Sequence, residues 1–307
     1  CALPIFYAHG GLNSEEDSLK RVAAMGPYFE KNGIYPLFLT WKSGPLETIQ
    51  DILQDTARPL GMPSQGIADR LSDAWDRTVE VAAANGGVKS MWRQMKENAG
   101  LGAETGRGLN LLAGALKKLE GMQIHAIGHS AGSIVLAYLL PLLRNGPSIK
   151  TCTLWAPAAT LELANDRYAP ALDKRVLEKL WIEYMSDRRE RDDNVAKVYR
   201  KSLLYLVSRA LEDAHKKPLM GLAASYDPQV AKDAYGSGFD TELSTWRAAT
   251  SSKRVTLVTH DEATVSDGTK RFPIAHGSFD NDVRAANDAI ERILGAPPSV
   301  RVTRLDY

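Results

Sequence analysis

The sequence feature that most constrains the fold is a serine flanked by glycines and set between two apolar runs. Residues 124 to 140 read IHAIGHSAGSIVLAYLL, and the serine is Ser130. The short run before it is typical of a buried strand, and the longer run after it is typical of a buried helix. A strand that turns into a helix within one residue strains its pivot, and the residues two positions to either side must be nearly without side chains. Gly128 and Gly132 meet that need, so the stretch predicts a sharp strand–turn–helix unit; an ordinary turn serine is the simpler alternative.

Apolar strand-like runs alternate with helix-like segments along most of the chain. The strand candidates are LPIFYAHGG, IYPLFLTW, MQIHAIG, IKTCTLWAPA, LEKLWIEYMS and KRVTLVTHDEATV. Helices are predicted for SEEDSLKRVAAMGPYFEKNG, capped by Ser14, for GLNLLAGALKKLEG and for FDNDVRAANDAIERILG. SLLYLV has helical spacing around it but could also form a strand. The alternation predicts an α/β fold with a parallel sheet and helices on both faces.

Two less regular segments interrupt this alternation, at about 45–100 and 215–250. The 307 residues suit a single domain over 1–307, with these segments as helical insertions. The first has the size of a cap over an active site, and a helical insertion that only completes the core explains it equally well.

The charge balance excludes some partners. Lys and Arg number 38 against 37 Asp and Glu, for a net charge of +1, so no electrostatic argument for nucleic acid exists. The longest apolar run is too short to span a bilayer, and two cysteines make no disulfide framework. We expect a soluble, cytoplasmic protein without an integral membrane segment. Because the chain begins with Cys1 rather than Met, we also expect that its native N-terminus is absent.

The GHSAG motif, with a strand before it and a helix after it, resembles the nucleophile elbow of the α/β-hydrolase superfamily, which includes esterases and lipases. The resemblance extends over about residues 3 to 295 and does not cover the two insertions. It implies a mostly parallel sheet of about six strands that lacks the first two usual strands. It also implies that Ser130 is a nucleophile.

The same resemblance places an oxyanion site beside the serine. The first donor would be the main-chain N–H of Ala131, which follows the nucleophile. YAHGG follows the first strand, so the second donor is assigned to Gly11, with Gly10 allowing close approach. His9 is interpreted as structural.

A serine hydroxyl needs a base, and histidine has a suitable pKa. In the resembled fold the base comes from the loop between the last strand and the last helix. His276 in PIAHGSFDNDV has that position, and His260 at the end of a late strand is the alternative.

The third catalytic group would be a carboxylate that orients the imidazole. In the resembled fold it follows the strand before the last one, which points to EYMSDRRERDDNV. Asp187 and Asp192 are both candidates, while Asp193 or Asn194 is interpreted as the N-terminal cap of the next helix. If SLLYLV were the strand, the acid would be Glu212 or Asp213.

These residues together predict a serine hydrolase that cleaves a carboxylic ester or related acyl compound through an acyl-enzyme. The substrate would be a small molecule, and neither a cofactor nor a metal is needed. The same residues would also serve an acyltransferase, a thioesterase or an amidase. A noncatalytic binding module with this fold is a further alternative.

Overall fold

A computed structural model of the chain describes residues 3–11, 15–41, 46–57, 69–119, 121–264 and 271–305. Cys1 and the predicted helix cap Ser14 lie outside these residues, as does part of the predicted insertion at 45–100.

The core of the molecule is a parallel sheet of six strands, which confirms the predicted α/β class. Its strands are β1 (Leu3–Ala8), β2 (Ile34–Leu39), β3 (Ile124–His129), β4 (Ile149–Trp155), β5 (Leu177–Met185) and β6 (Val255–His260). Their spatial order is β2-β1-β3-β4-β5-β6. The central strand β3 is buried along its whole length, as expected for a parallel strand covered on both faces.

Helices flank this sheet. They are α1 (Glu15–Lys31), α2 (Leu46–Ala57), α3 (Asp69–Asn85), α4 (Val88–Leu101), α5 (Gly108–Leu116), α6 (Gly132–Leu139), α7 (Leu161–Asp173), α8 (Asp187–Asp192), α9 (Leu203–Leu206), α10 (Pro228–Ala234), α11 (Asp240–Thr250) and α12 (Val283–Leu294). The ambiguous SLLYLV segment is helical, as α9 and a wider turn over Val207–Leu211. No helix in the described parts of the chain has the length and apolar character that a membrane span requires.

The late strand predicted for KRVTLVTHDEATV divides into two. β6 ends at His260, which pairs with Met185, the last residue of β5, so no neighbouring strand remains for the chain beyond it. The chain then leaves the sheet, and β7 (Glu262–Thr264) pairs antiparallel with β8 (Arg271–Pro273). This hairpin carries the chain back toward the sheet's carboxyl edge.

The strand order creates a crevice at the carboxyl ends of β1 and β3. From β1 the chain moves to the edge strand β2 through α1, whereas from β3 it moves the other way to β4 through α6. Because such crossovers are right-handed, α1 and α6 lie on opposite faces of the sheet. Strands that diverge in this way leave an open crevice between their carboxyl ends. The HGG and GHSAG motifs both lie there.

The described part of the first insertion packs into the body of the molecule. The indole N–H of Trp75 on α3 donates to the main-chain oxygen of Val198 at 2.8 Å. The indole N–H of Trp92 on α4 donates to Glu212 at 2.7 Å, and the Trp92 side chain is buried. Both helices therefore contribute to the core beside α6 and the 198–212 segment.

Candidate active site

Ser130 occupies a strained bend between β3 and α6. Its φ is +49°, a backbone conformation that residues other than glycine rarely adopt. The glycines on either side are required by close packing. A Cβ on Gly132 would lie 2.0 Å from the main-chain oxygen of Ala8, and one on Gly128 would lie 2.8 Å from Leu136 Cδ1. The sequence interpretation of this stretch as a sharp bend therefore has its physical reason in the contact of α6 with β1.

Hydrogen bonds to its main chain hold the strained residue in place. The Ser130 N–H donates to the main-chain oxygen of Trp155 at 2.8 Å. The Ser130 carbonyl accepts from the N–H of Ala158 at 3.0 Å and from the Ser133 hydroxyl at 2.6 Å. Both main-chain polar groups of Ser130 are thus satisfied, which leaves its side chain as the group presented to the crevice.

The side chain of Ser130 meets His276. The distance from Ser130 Oγ to His276 Nε2 is 2.9 Å, although the two residues are 146 positions apart in the chain. His276 begins a short 3₁₀ helix, His276–Asn281, between β8 and α12. The sequence predicted a base in this loop, and the loop brings the His276 ring to Ser130.

The environment of His276 keeps its imidazole neutral. Burial, the largest cause, and neighbouring His129 together lower its pKa to about 3, while Asp280 acts in the opposite direction. A neutral ring can accept the Ser130 proton at Nε2, provided that its own proton is on Nδ1. Within the described residues, Nδ1 has no hydrogen-bond partner.

The carboxylate that contacts His276 belongs to Asp193. Its Oδ2 accepts the main-chain N–H of His276 at 3.0 Å. Burial raises the pKa of Asp193, while hydrogen bonds from the N–H groups of His276 and Asn194 lower it. Asp193 directly follows α8 and is its C-terminal cap residue, not the N-terminal cap that the sequence suggested.

The two acids chosen from the sequence have other partners. Asp187 accepts hydrogen bonds from the Tyr205 hydroxyl and from Arg191 Nε, the latter at 2.7 Å. Asp192 lies 3.6 Å from Arg189, and 53% of its side chain is exposed. In the described structure neither carboxylate makes a hydrogen bond or an ion pair with His276.

The remaining sequence candidates also lie in separate networks. His260 Nε2 is 2.7 Å from Glu183 Oε2, and both side chains are buried. Glu212 accepts from Trp92 and pairs with Lys96 at 2.6 Å. Among the described contacts, none joins His260 to Ser130.

A second buried chain of polar groups lies behind His276, and the sequence did not suggest it. His129 Nε2 donates to the main-chain oxygen of His276 at 3.2 Å, and its Nδ1 lies 3.3 Å from Asp280 Oδ2. Arg21 Nε lies 2.8 Å from the same oxygen. Burial alone would raise the pKa of Asp280, but His129 and Arg21 outweigh it and lower the pKa to about 2. No local sequence pattern predicts this cluster, because Arg21 cannot be distinguished by sequence from the other charged residues of an amphipathic helix.

The loop after β1 lies against the bend. A Cβ on Gly10 would be 3.4 Å from Ser130 Cβ, and one on Gly11 would be 3.0 Å from Ala131 Cβ. The N–H of Ala131, at the start of α6, donates to no acceptor in the described residues. His9 Nδ1 lies 2.6 Å from the oxygen of Gly10, which suits the structural role predicted for His9.

The described residues contain no group of three or more His, Cys, Asp or Glu side chains placed to hold a metal ion.

No protein-family model matches the chain, and no curated protein matches it.

Proposed function

We propose that this protein is a serine hydrolase of the α/β-hydrolase superfamily that cleaves a carboxylic ester or a related acyl compound. The observation that carries the proposal is the 2.9 Å contact between Ser130 Oγ and His276 Nε2 at a bend with φ of +49°. Ser130 and His276 are far apart in the sequence, and they meet at a residue with a strained backbone. Such strain is concentrated at functional sites.

The proposed reaction begins with proton transfer from Ser130 Oγ to His276 Nε2. The oxygen attacks the substrate carbonyl, and the negative charge that forms there is stabilised by the main-chain N–H groups of Ala131 and Gly11. The leaving alcohol takes the proton from His276, and the acyl group stays on Ser130. Water then donates a proton to His276, attacks the acyl-enzyme and releases the carboxylic acid, which returns Ser130 to its hydroxyl form.

We assign the orienting carboxylate to Asp193. Its carboxylate accepts the main-chain N–H of His276, the residue whose ring must be oriented, and Nδ1 of that ring has no hydrogen-bond partner within the described residues. Hydrogen bonds of this kind tighten when substrate binds, so a carboxylate already on the same residue is well placed. Asp187 and Asp192 remain the alternatives that the sequence favours.

The test is intact-protein mass after reaction with a fluorophosphonate, followed by peptide mapping. We expect one adduct on Ser130 in the unmodified protein and none in Ser130→Ala. We also expect Ser130→Ala to lower the turnover of p-nitrophenyl acetate by roughly 10³-fold or more, because attack then has no nucleophile.

Folded protein that takes up no fluorophosphonate, or Ser130→Ala protein with full turnover, would contradict the proposal. Formation of an acylated alcohol or amine when those acceptors are supplied would assign the same residues to an acyltransferase.

A further inference from the structure

An apolar cavity of about 480 Å³ lies close to the proposed oxyanion site. Its walls come from the end of β2, from α4, α5 and the start of α6. The apolar lining includes Phe38, Trp41, Ala99, Leu109, Leu112 and Val135. Among the described residues, Thr40 and Asn98 are the polar members of the lining, and none of the lining side chains described is charged. A cavity of this size lies within the roughly 300–1,000 Å³ of small-molecule sites, and its lining suits an uncharged hydrocarbon group.

Three of the lining residues are connected to the proposed oxyanion site by a shared helix or by a hydrogen bond. Val135 lies one helical turn beyond Ala131 on α6. On α4, Ala99 lies one turn beyond Met95, whose Sδ would be 2.6 Å from a Cβ on Gly11. The indole N–H of Trp41 donates to the main-chain oxygen of His9 at 3.3 Å. The cavity therefore begins about one helical turn, roughly 6 Å along the axis, from the place where the substrate carbonyl would lie.

The position of the cavity relative to His276 decides which part of a substrate enters it. In the sheet order, β2 and β1 lie on one side of β3, whereas β5 and β6 lie on the other. Asp193 and the loop bearing His276 follow β5 and β6, so they reach Ser130 from that second side. A leaving alcohol must take its proton from His276 and so departs there. The acyl carbon's remaining substituent then points the other way, toward β2 and the cavity.

We propose that this cavity binds the aliphatic acyl chain of the substrate, which makes the preferred substrates esters of unbranched hydrocarbon acids longer than acetate. This inference rests on the proposed function for its orientation, and on the cavity's own lining for its chemistry.

Two glycines of α5 give a matched pair of variants. Gly108 and Gly114 are both exposed, and a Cβ at either meets nothing within 4 Å. Gly108 lines the cavity, whereas Gly114 does not. Gly108→Trp should fill the cavity without disturbing the fold, and Gly114→Trp should place the same side chain on the same helix outside it.

The experiment measures kcat/KM for p-nitrophenyl esters from acetate to octanoate. In the unmodified protein and in Gly114→Trp we expect kcat/KM to rise by roughly fourfold for each added methylene at first, as each is removed from water. In Gly108→Trp we expect the ratio of the octanoate value to the acetate value to fall at least tenfold below the ratio in Gly114→Trp. A profile that does not rise with chain length, or an octanoate value that Gly108→Trp leaves unchanged, would overturn the inference while leaving the hydrolase proposal intact.

A binding measurement separates the inference from the proposed function. The probe is 11-(dansylamino)undecanoic acid, followed by its fluorescence in the Ser130→Ala background. Binding that Gly108→Trp weakens at least tenfold and Gly114→Trp does not would support the cavity's role even if no ester were cleaved. No binding to Ser130→Ala protein, or binding that Gly108→Trp does not weaken, would overturn it.

Discussion

At the scale of the residue, the site depends on an unfavourable backbone conformation at Ser130 and on the fixed position of His276. A backbone with φ of +49° at Ser130 costs about 1–3 kcal/mol, and it persists because the bonds from Ser130 to Trp155 and Ala158 leave no alternative. His276 is in turn held by Asp193 through its main-chain N–H and by His129 through its main-chain oxygen. Both groups of the proposed pair are therefore fixed through their backbones.

The three acids after β5 give a prediction at this scale. We expect Asp193→Asn to lower kcat by roughly 10³–10⁴-fold, because an amide cannot stabilise the imidazolium that forms at His276. Asp192→Asn should leave kcat within twofold, since its side chain is 53% exposed and pairs with Arg189. The measurement is kcat with p-nitrophenyl acetate on protein whose fold is checked by circular dichroism.

Asp187→Asn is the second control, because this carboxylate binds Tyr205 and Arg191. We expect it to change the free energy of unfolding more than it changes kcat. A large loss of kcat in Asp187→Asn or Asp192→Asn, with little loss in Asp193→Asn, would return the role to the acid that the sequence favours.

At the scale of the element, the strand–bend–helix unit from β3 to α6 depends on the contact between backbones. Gly132 begins α6 against the carbonyl of Ala8 in β1, and no Cβ fits in that contact. Because Ala131 and the loop after β1 are brought together by the same contact, the proposed oxyanion site is a consequence of how the helix packs on the sheet.

Gly132→Ala tests this element. The added methyl would lie 2.0 Å from the Ala8 oxygen, so the helix must shift. We expect the free energy of unfolding to fall by about 3 kcal/mol, at the upper end of the usual cost of overpacking, and Ser130 to lose its reaction with a fluorophosphonate. Denaturation by urea and intact mass measure the two effects.

Gly114→Ala is the matched control for that variant. It makes the same chemical change at an exposed position of α5 where a Cβ meets nothing, and it should raise stability by about 0.5–1 kcal/mol. Equal stability of the two variants would contradict the role given to Gly132.

At the scale of the whole molecule, buried charges connect segments that are far apart in the chain. Arg21 on α1 and Asp280 on the turn after His276 form a buried ion pair at 2.8 Å, and His129 at the end of β3 joins them. These two contacts link a flanking helix, the strand β3 and the loop that carries His276. The loop's position thus depends on the assembled fold.

Arg21→Met tests this connection. Removing one partner of a buried pair leaves the other charge poorly compensated, so we expect the free energy of unfolding to fall by about 3–5 kcal/mol at neutral pH. The pKa of Asp280 is held at about 2, below its ordinary value of 3.8. The stabilisation is therefore fully present above pH 3.8 and is lost as the pH falls through about 2. Urea denaturation at several pH values measures both.

Lys20→Met is the control, since Lys20 is the neighbouring residue and pairs with Glu16 on the surface at 2.8 Å. Such exposed pairs contribute little to stability, because solvent and salt screen them. A loss in Arg21→Met no larger than the loss in Lys20→Met would show that the buried pair does not stabilise the molecule.

The features that could be predicted from the sequence are those that arise from local sterics and from periodicity. Its apolar runs predicted a parallel α/β sheet, and its last segment predicted the helix α12. The spacing of Gly128, Ser130 and Gly132 predicted a sharp bend, because the constraint acts within a few residues. SLLYLV stayed ambiguous because its short apolar run suits either periodicity, and packing made it helical.

Contacts between distant groups could not be predicted from the sequence, because they depend on the assembled fold. The charge run DRRERDDN offered several carboxylates of similar local chemistry, and it is the one on Asp193 that contacts His276, 83 positions away. The Arg21–Asp280–His129 cluster and the departure of the chain from the sheet after His260 have no local signature either. Such contacts depend on where the fold places each segment, and the pattern of neighbouring residues in the sequence does not predict that placement.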